Sequence, residues 1–354
     1  MALTRLSVII PVHNAAGLLS RCLQSLARSA FRDYECIVVD DASTDSSGAV
    51  ATQYGATLIR LDRNGGPARA RNRGAERAVG EIMVFLDADV CVHEDTLAQF
   101  DSHFRQHPSA DAAIGSYDDT PADPGFVSQY KNLFHHFVHQ TSRAQAWTFW
   151  AGCGAIRRDA FLASGGFDES YTRPCIEDIE LGLRLCAQGR RIDLNPLIQV
   201  THLKRWTFWN LIKTDVRQRG IPWLQLMLRD RTMPADLNVT GAHRLSVVLV
   251  FAAILLGISA ALRRPLGLGQ QADAVAAAAL AAVGGLLYLN RDVYRFFARK
   301  RGLLFATRAL AMHWLYYAYC GFSVGAALSL HLLHMAGFSR PQDRPDCAIT
   351  GDPR

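Results

Sequence analysis

Carboxylates dominate the residues whose types and spacing could do chemistry. Asp87 and Asp89 flank a single alanine directly after the apolar run Ile82 to Leu86. Two carboxylates spaced this way at a strand end can share a hard cation such as Mg²⁺ or Mn²⁺, which in turn would bridge a diphosphate. A lone Asp-X-Asp also arises by chance in surface turns, so its meaning depends on its neighbours. One neighbour is Asp40-Asp41-Ala-Ser-Thr-Asp45 after the run Glu35 to Val39, which puts carboxylates where a base or ribose could be hydrogen-bonded, or where a turn could cap the next helix. Another is Asn64-Gly-Gly-Pro-Ala-Arg-Ala-Arg-Asn-Arg-Gly74, a glycine-rich loop entering a basic helix. Arg69, Arg71 and Arg73 alternate and cannot share one helix face, so Arg71 is taken as the cation that offsets phosphate charge and the other two as solvated surface.

Further along, Glu177, Asp178 and Glu180 open a helical pattern, where acidic residues complement the helix dipole and where a carboxylate can also serve as a general base. His202 follows the strand-like Ile198 to Thr201 and reads either as a metal ligand or as a satisfied core histidine. His135, His136 and His139 share a helix without a nearby carboxylate or cysteine, and they read as acceptor-cleft or surface residues.

The elements that must position these groups follow from periodicity. From Leu6 to about Ala112, β-branched runs alternate with helical patterns, which implies a mostly parallel, doubly wound α/β sheet covered on both faces. Ligands bind such sheets outside the carboxyl ends of the strands, where the aspartates stand. Residues Ala113 to Leu203, with helices at Val127 to Thr141 and Ile176 to Gln188, complete the same domain.

The ordered set Ser7-Val-Ile-Ile-Pro-Val-His-Asn14, Val39-Asp-Asp-Ala-Ser-Thr-Asp45, Ala70-Arg-Asn72, Phe85-Leu-Asp-Ala-Asp89, Gly165-Gly-Phe-Asp168 and Ile176-Glu-Asp-Ile-Glu180 resembles glycosyltransferase family 2. The resemblance spans roughly residues 5 to 205. It implies the GT-A fold, with Pro11, Asn14 and Asp41 toward the nucleotide base of a nucleoside diphosphate-sugar and Arg71 near the base or phosphates. It further implies Asp89 on Mn²⁺ or Mg²⁺, Asp87 on the ribose or metal, His202 as a late metal ligand, and Asp178 as the base of an inverting transfer. Processive members carry a QxxRW segment, whereas this chain has Lys204-Arg-Trp206 and then Arg217-Gln-Arg-Gly-Ile-Pro-Trp223, so single-sugar transfer is expected.

Composition places the rest. The chain has 354 residues, 49% hydrophobic, with a net charge of +6. Its basic residues concentrate around 203 to 231 and 291 to 308, beside apolar stretches, which points to an anionic lipid bilayer and excludes nucleic acid as the partner. Leu245 to Leu262, Ala274 to Asn290 and Ala309 to Ser339 contain no Asp, Glu, Lys or Arg. Each is near or above the roughly 18 residues needed to cross a bilayer. About three transmembrane helices are therefore expected, and the cationic loop between Arg291 and Arg308 orients the catalytic domain to the cytoplasmic side of a bacterial inner membrane.

Residues 1–203 are expected to form the catalytic domain and 204–240 an amphipathic interfacial segment. Residues 241–339 are the transmembrane region and 340–354 a disordered tail. Within the interfacial segment, Arg205, Trp206 and Trp223, together with Glu177, are expected to face a lipid-linked or other membrane-associated acceptor. The N-terminus lacks the long apolar run of a signal peptide. The eight cysteines form no CxxC pair and read as reduced thiols. Polyprenyl phosphate is an alternative acceptor, and a catalytically silent nucleotide-sugar-binding membrane protein is an alternative function.

Overall fold

The computed structural model describes residues 4–231 and 237–337. Contacts divide the chain into two compact units, residues 1–226 and 227–340. The expected tail at 340–354 lies outside the described residues.

The first unit runs β1 (Leu6–Val12), α1 (Ala16–Ala27), β2 (Tyr34–Asp40), α2 (Ser47–Gln53), β3 (Thr57–Arg60), α3 (Gly66–Arg77), β4 (Ile82–Leu86), β5 (Val90–Val92), α4 (Thr96–Gln106) and β6 (Ala112–Tyr117). It continues with α5 (Phe126–Thr141), β7 (Gln145–Ala146), β8 (Cys153–Arg157), α6 (Arg158–Ser164), α7 (Glu177–Ala187), β9 (Ile192–His202) and α8 (Phe208–Lys213). A π-helical turn, Thr214–Gly220, then leads into α9 (Ile221–Asp230).

Among the described residues the strands form one sheet in the order β3-β2-β1-β4-β8-β6-β9-β5, with β7 on β9. The β1, β2, β3 and β4 pairings are parallel, as the alternating pattern requires. From β4 onward the sheet is mixed: β8 runs antiparallel to both β4 and β6, β5 antiparallel to β9, and β6 parallel to β9. The expectation of a mostly parallel sheet thus holds for the first half only. The core on one face gathers Leu6, Val8, Ile10 and Val12 of β1 with Leu19, Leu23 and Leu26 of α1 and Val84 and Leu86 of β4. Successive strand side chains alternate across the sheet, so these even positions face α1 together.

Two local features set the site. α3 begins Gly66-Pro67, with proline in the first turn where its missing N–H costs nothing. Gly66 has φ +86°, and a Cβ there would lie 2.5 Å from the Thr172 carbonyl oxygen, so only glycine fits. In α7, a Cβ on Gly182 would come within 2.1 Å of the Phe149 nitrogen, so this glycine lets the helix that carries Asp178 close onto the segment before β8.

In the second unit, α10 (Gly241–Arg263), α11 (Gly269–Leu289) and α13 (Leu303–Met335) are long helices, with the basic α12 (Arg291–Arg301) between the last two. Three helices among the described residues are long and apolar enough to cross a membrane. They are bound by a buried polar link: Asn290 donates to Ser246 Oγ at 3.0 Å and accepts from the Tyr317 hydroxyl at 2.7 Å. Six described cysteines are free thiols.

Candidate active site

The motifs read separately along the chain converge on the carboxyl end of β4. Arg71, on α3, is buried and its guanidinium lies 5.4 Å from the Phe167 ring centroid. It donates from Nη1 to Glu177 Oε1 and from Nη2 to Asp87 Oδ1, each at 2.8 Å. The carboxylates of Asp87 and Glu177 hold the proton on Arg71 more firmly still, overriding burial. Asn72, next in α3, clasps the glycine-rich turn: it accepts from Phe167 N–H at 2.9 Å and donates to the Phe167 carbonyl at 2.8 Å. That turn is possible because Gly165 and Gly166 adopt φ of +83° and +71°.

Several expected ligand residues are engaged within the chain. Arg71 is 4% exposed with both terminal nitrogens on carboxylates, so it braces Asp87 and Glu177. Asp41, also 4% exposed, accepts from Gly65 N–H and Gly66 N–H at 2.8 Å on separate oxygens. Its carboxylate fixes the entry to α3. Glu177 is buried too, accepting from the Cys175 N–H at 2.9 Å besides its pair with Arg71, and does not face an acceptor. Pro11 lies in β1 beside Val39, partly accessible. Asn14 is exposed with φ +48° and accepts from the Thr44 N–H at 2.8 Å, joining the loops after β1 and β2.

Asp87 and Asp89 both line a cleft of about 70 Å³ together with His202, at the end of β9. Asp87 keeps about a third of its side chain exposed. His202 is buried and stacks on Tyr117 at 4.3 Å, and its Nδ1 is 2.6 Å from Asn132 Oδ1. The Asn132 amide nitrogen is committed to the Ser128 carbonyl, so its oxygen is the acceptor and Nδ1 carries the proton. The Nε2 lone pair of a neutral imidazole then faces Asp89 Oδ2 at 3.5 Å. Two acceptors turned toward each other call for a proton or a cation between them. Burial raises Asp89, but a proton on His202 Nε2, together with Lys204, outweighs it and holds the carboxyl below its usual range.

The donor set of carboxylate oxygens and imidazole nitrogen suits Mn²⁺ or Mg²⁺. No group of three His, Cys, Asp or Glu among the described residues stands close enough to enclose a metal alone, so further ligands would have to come from a bound substrate.

Asp178 opens α7 beside Glu177. Its Oδ2 accepts from the Ala151 N–H at 3.2 Å and Oδ1 from the Ile179 N–H at 2.8 Å. Burial, reinforced by the Glu177 charge, pushes its pKa up to about 6 despite Arg71 nearby. A carboxylate with that value is suited to accept a proton near neutral pH.

The expected membrane-facing trio separates. Arg205 is exposed, with 82% of its side chain in solvent. Trp206 is buried in the cleft, its backbone N–H donating to Ser128 Oγ at 2.7 Å. Trp223 packs, partly buried, against Tyr171, Ile176 and Leu226 beneath the start of α7. Amphipathic spacing did not distinguish these indoles because their burial is against the catalytic unit. The outward aromatic is instead Trp209, 76% exposed. Of the histidines on α5, His135 lines the cleft, while His136 and His139 turn inward, each with Nδ1 2.8 Å from a β6 carbonyl.

Sequence reading missed Tyr117, Lys131, Asn132, Trp150, Lys204 and Arg219, which also line the cleft. None stands in an acidic or glycine-rich motif. The one available signal was their aromatic and cationic character near the ends of β6, β8 and β9.

Comparison with known proteins agrees with this geometry. The profile "Glycosyl transferase family 2" matches residues 7–164. A PGL/p-HBAD biosynthesis glycosyltransferase of Mycobacterium bovis is 36% identical over 121 residues, covering 32% of this chain and 47% of the relative. A poly(ribitol-phosphate) beta-glucosyltransferase of Bacillus spizizenii is 34% identical over 119 residues, 31% of this chain and 19% of that protein. The matches therefore span about half or less of these relatives. Among solved structures, a mannosyltransferase from Pyrobaculum calidifontis in complex with GDP-Man and Mn²⁺ superposes with a TM-score of 0.54 at 19% identity, over 95% of this chain and 88% of that one. With the ordered motifs converging at the end of β4, residues 7–164 form a glycosyltransferase family 2 domain on the GT-A fold, with three apolar helices after it.

Proposed function

We propose that this protein moves a single sugar, with inversion, from a nucleoside diphosphate-sugar to a hydroxyl of a membrane-associated acceptor. The carrying observation is Asp178, set at the start of α7 with its pKa near 6 and linked through Glu177 and Arg71 to Asp87 in the cleft. In the proposed reaction Asp178 removes the acceptor proton as the acceptor oxygen attacks the anomeric carbon. The bond from that carbon to the diphosphate breaks, and the nucleoside diphosphate leaves. An alcohol is a poor nucleophile until its proton is taken, so a fixed carboxylate contributes on the order of 10²- to 10⁴-fold.

Asp89 and His202 would hold Mn²⁺ or Mg²⁺, with Asp87 beside them in the cleft. When bound, the cation supplies charge neutralisation for the departing diphosphate. Arg71 and Glu177 keep Asp87 and the start of α7 in fixed register, which is a positioning role. Pro11 and Asn14, at the ends of the loops joined by Thr44, are proposed to flank the base, which fits UDP or GDP as the nucleotide. The P. calidifontis structure holds GDP-Man and Mn²⁺, in keeping with this donor class.

The three apolar helices and the cationic α12 support an integral membrane protein whose catalytic unit acts at the cytoplasmic leaflet of a bacterial inner membrane rich in anionic lipid. Transfer from radiolabelled UDP- and GDP-sugars to membrane lipid extracts, with and without Mn²⁺, tests the reading. Unchanged turnover in Asp178→Asn would sink it. Donor binding without product across a broad acceptor panel would instead favour a silent nucleotide-sugar-binding protein.

A further inference from the structure

The cation that the linear motif offers to a diphosphate, Arg71, is consumed by Asp87 and Glu177. The cleft contains three other cationic side chains: Lys131, Lys204 and Arg219. Lys131 is held by both oxygens of Asp215, at 2.7 and 2.9 Å. Lys204 and Arg219 have no carboxylate within ion-pair distance among the described residues, and the Lys204 ammonium instead lies 4.3 Å from the Trp206 ring centroid. Trp206 itself is 6% exposed, and its indole N–H has no hydrogen-bond partner among the described residues. A buried donor left without a partner carries an unrecovered desolvation cost, which a ligand acceptor would relieve. Arg219 is carried by the π-helical turn Thr214–Gly220, a rare geometry found frequently at functional sites.

We propose that Lys204, Arg219 and the indole N–H of Trp206 form a phosphate subsite in the same cleft as Asp87 and Asp89. Two cations and a neutral donor, none matched by an acceptor among the described residues, are complementary to the oxygens of a phosphoryl group. The proposal rests on the glycosyl-transfer reading, which supplies two sources of such a group: the diphosphate of the donor, or a phosphate on the acceptor lipid. The third cation of the cleft, Lys131, is bound by Asp215, which leaves the subsite's net charge to Lys204 and Arg219.

The test uses the full chain in nanodiscs, with binding of inorganic pyrophosphate, UDP, GDP, a polyprenyl phosphate and the matching polyprenol measured in EDTA. Lys204→Gln and Arg219→Gln are each expected to weaken at least one phosphate probe about tenfold or more, the loss of a charge-assisted hydrogen bond, with Arg219→Lys recovering part of it. Loss on pyrophosphate, UDP and GDP identifies the donor diphosphate. Loss on polyprenyl phosphate alone, with polyprenol and nucleotides unchanged, identifies an acceptor phosphate. Wild-type affinity for every phosphate probe in both glutamine variants, or no binding of any of them by the wild type, overturns the subsite. Thermal unfolding of each variant separates a lost contact from a lost fold, and Arg219→Lys keeps the test open if Arg219→Gln does not fold. Because EDTA removes any metal and no turnover is read, the result stands independently of Asp178→Asn, whose retained turnover would sink the transfer reading alone.

Discussion

Arg71 Nη1 lies 2.8 Å from Glu177 Oε1, joining residues 106 apart in sequence, with 5% and 6% of the two side chains exposed. The same guanidinium holds Asp87, so the cation from the glycine-rich loop braces a cleft carboxylate and the helix of the proposed base at once. Breaking a buried pair by removing one partner strands the other charge. Arg71→Met is therefore expected to destabilise the catalytic unit by about 3–5 kcal/mol, read from the denaturant midpoint. Glu177→Gln keeps the shape and one hydrogen-bond acceptor, and is expected to cost less. Equal, negligible shifts in both variants would show that the pair does not hold the two segments.

Asp178 determines an acid limb. With its pKa at about 6, the fraction of deprotonated base falls tenfold per pH unit below that value, so kcat/KM should decline from pH 7 to pH 5. In Asp178→Asn the rate should drop about 10²- to 10⁴-fold with the limb abolished. A limb that persists in this variant assigns it to another group. Stability follows the opposite course. The folded carboxyl holds its proton more tightly than an unfolded Asp, whose pKa is about 3.9, so this group's contribution to stability is present at low pH and is lost as pH rises through about 6.

His202 and Asp89 give a metal prediction that does not need turnover. With Nδ1 committed to Asn132, the Nε2 lone pair and the Asp89 carboxylate face each other at 3.5 Å. Mn²⁺ with UDP or GDP should raise the unfolding temperature of the wild type, since a ligand bound to the folded state stabilises it by mass action. Asp89→Asn and His202→Ala should each lose most of that shift. Retention of the full shift in both would remove them from the metal site.

In the helical unit, Asn290 is 9% exposed and connects Ser246 on α10 with Tyr317 on α13. Asn290→Leu leaves the serine and tyrosine hydroxyls without this partner in an apolar bundle. Hydrogen bonds between membrane helices are worth about 0.6–2 kcal/mol, so a modest loss in thermal stability in detergent is expected, with donor binding unchanged. A rise in stability would show that packing outweighs the polar link.

The chain's own order of residues determined much of this. Alternating strand and helix periods set the parallel half, because residue patterning of period 2 and 3.6 is a local property. Asp87, Asp89 and Asp178 stood out because carboxylates at strand and helix ends are legible without knowing what packs on them. The apolar helices followed from charge-free length alone. Tertiary structure decided where side chains spend their hydrogen bonds. Arg71 and Asp41 read as ligand contacts until Glu177, Asp87 and the Gly65 and Gly66 amides claimed them. Trp206 and Trp223 read as membrane-facing until the cleft and the Ile176 cluster buried them. Lys204 and Arg219 were legible only as part of a basic segment, since their importance lies in the lack of a carboxylate within ion-pair distance among the described residues. That is a statement about distances in three dimensions, which no spacing along the chain encodes.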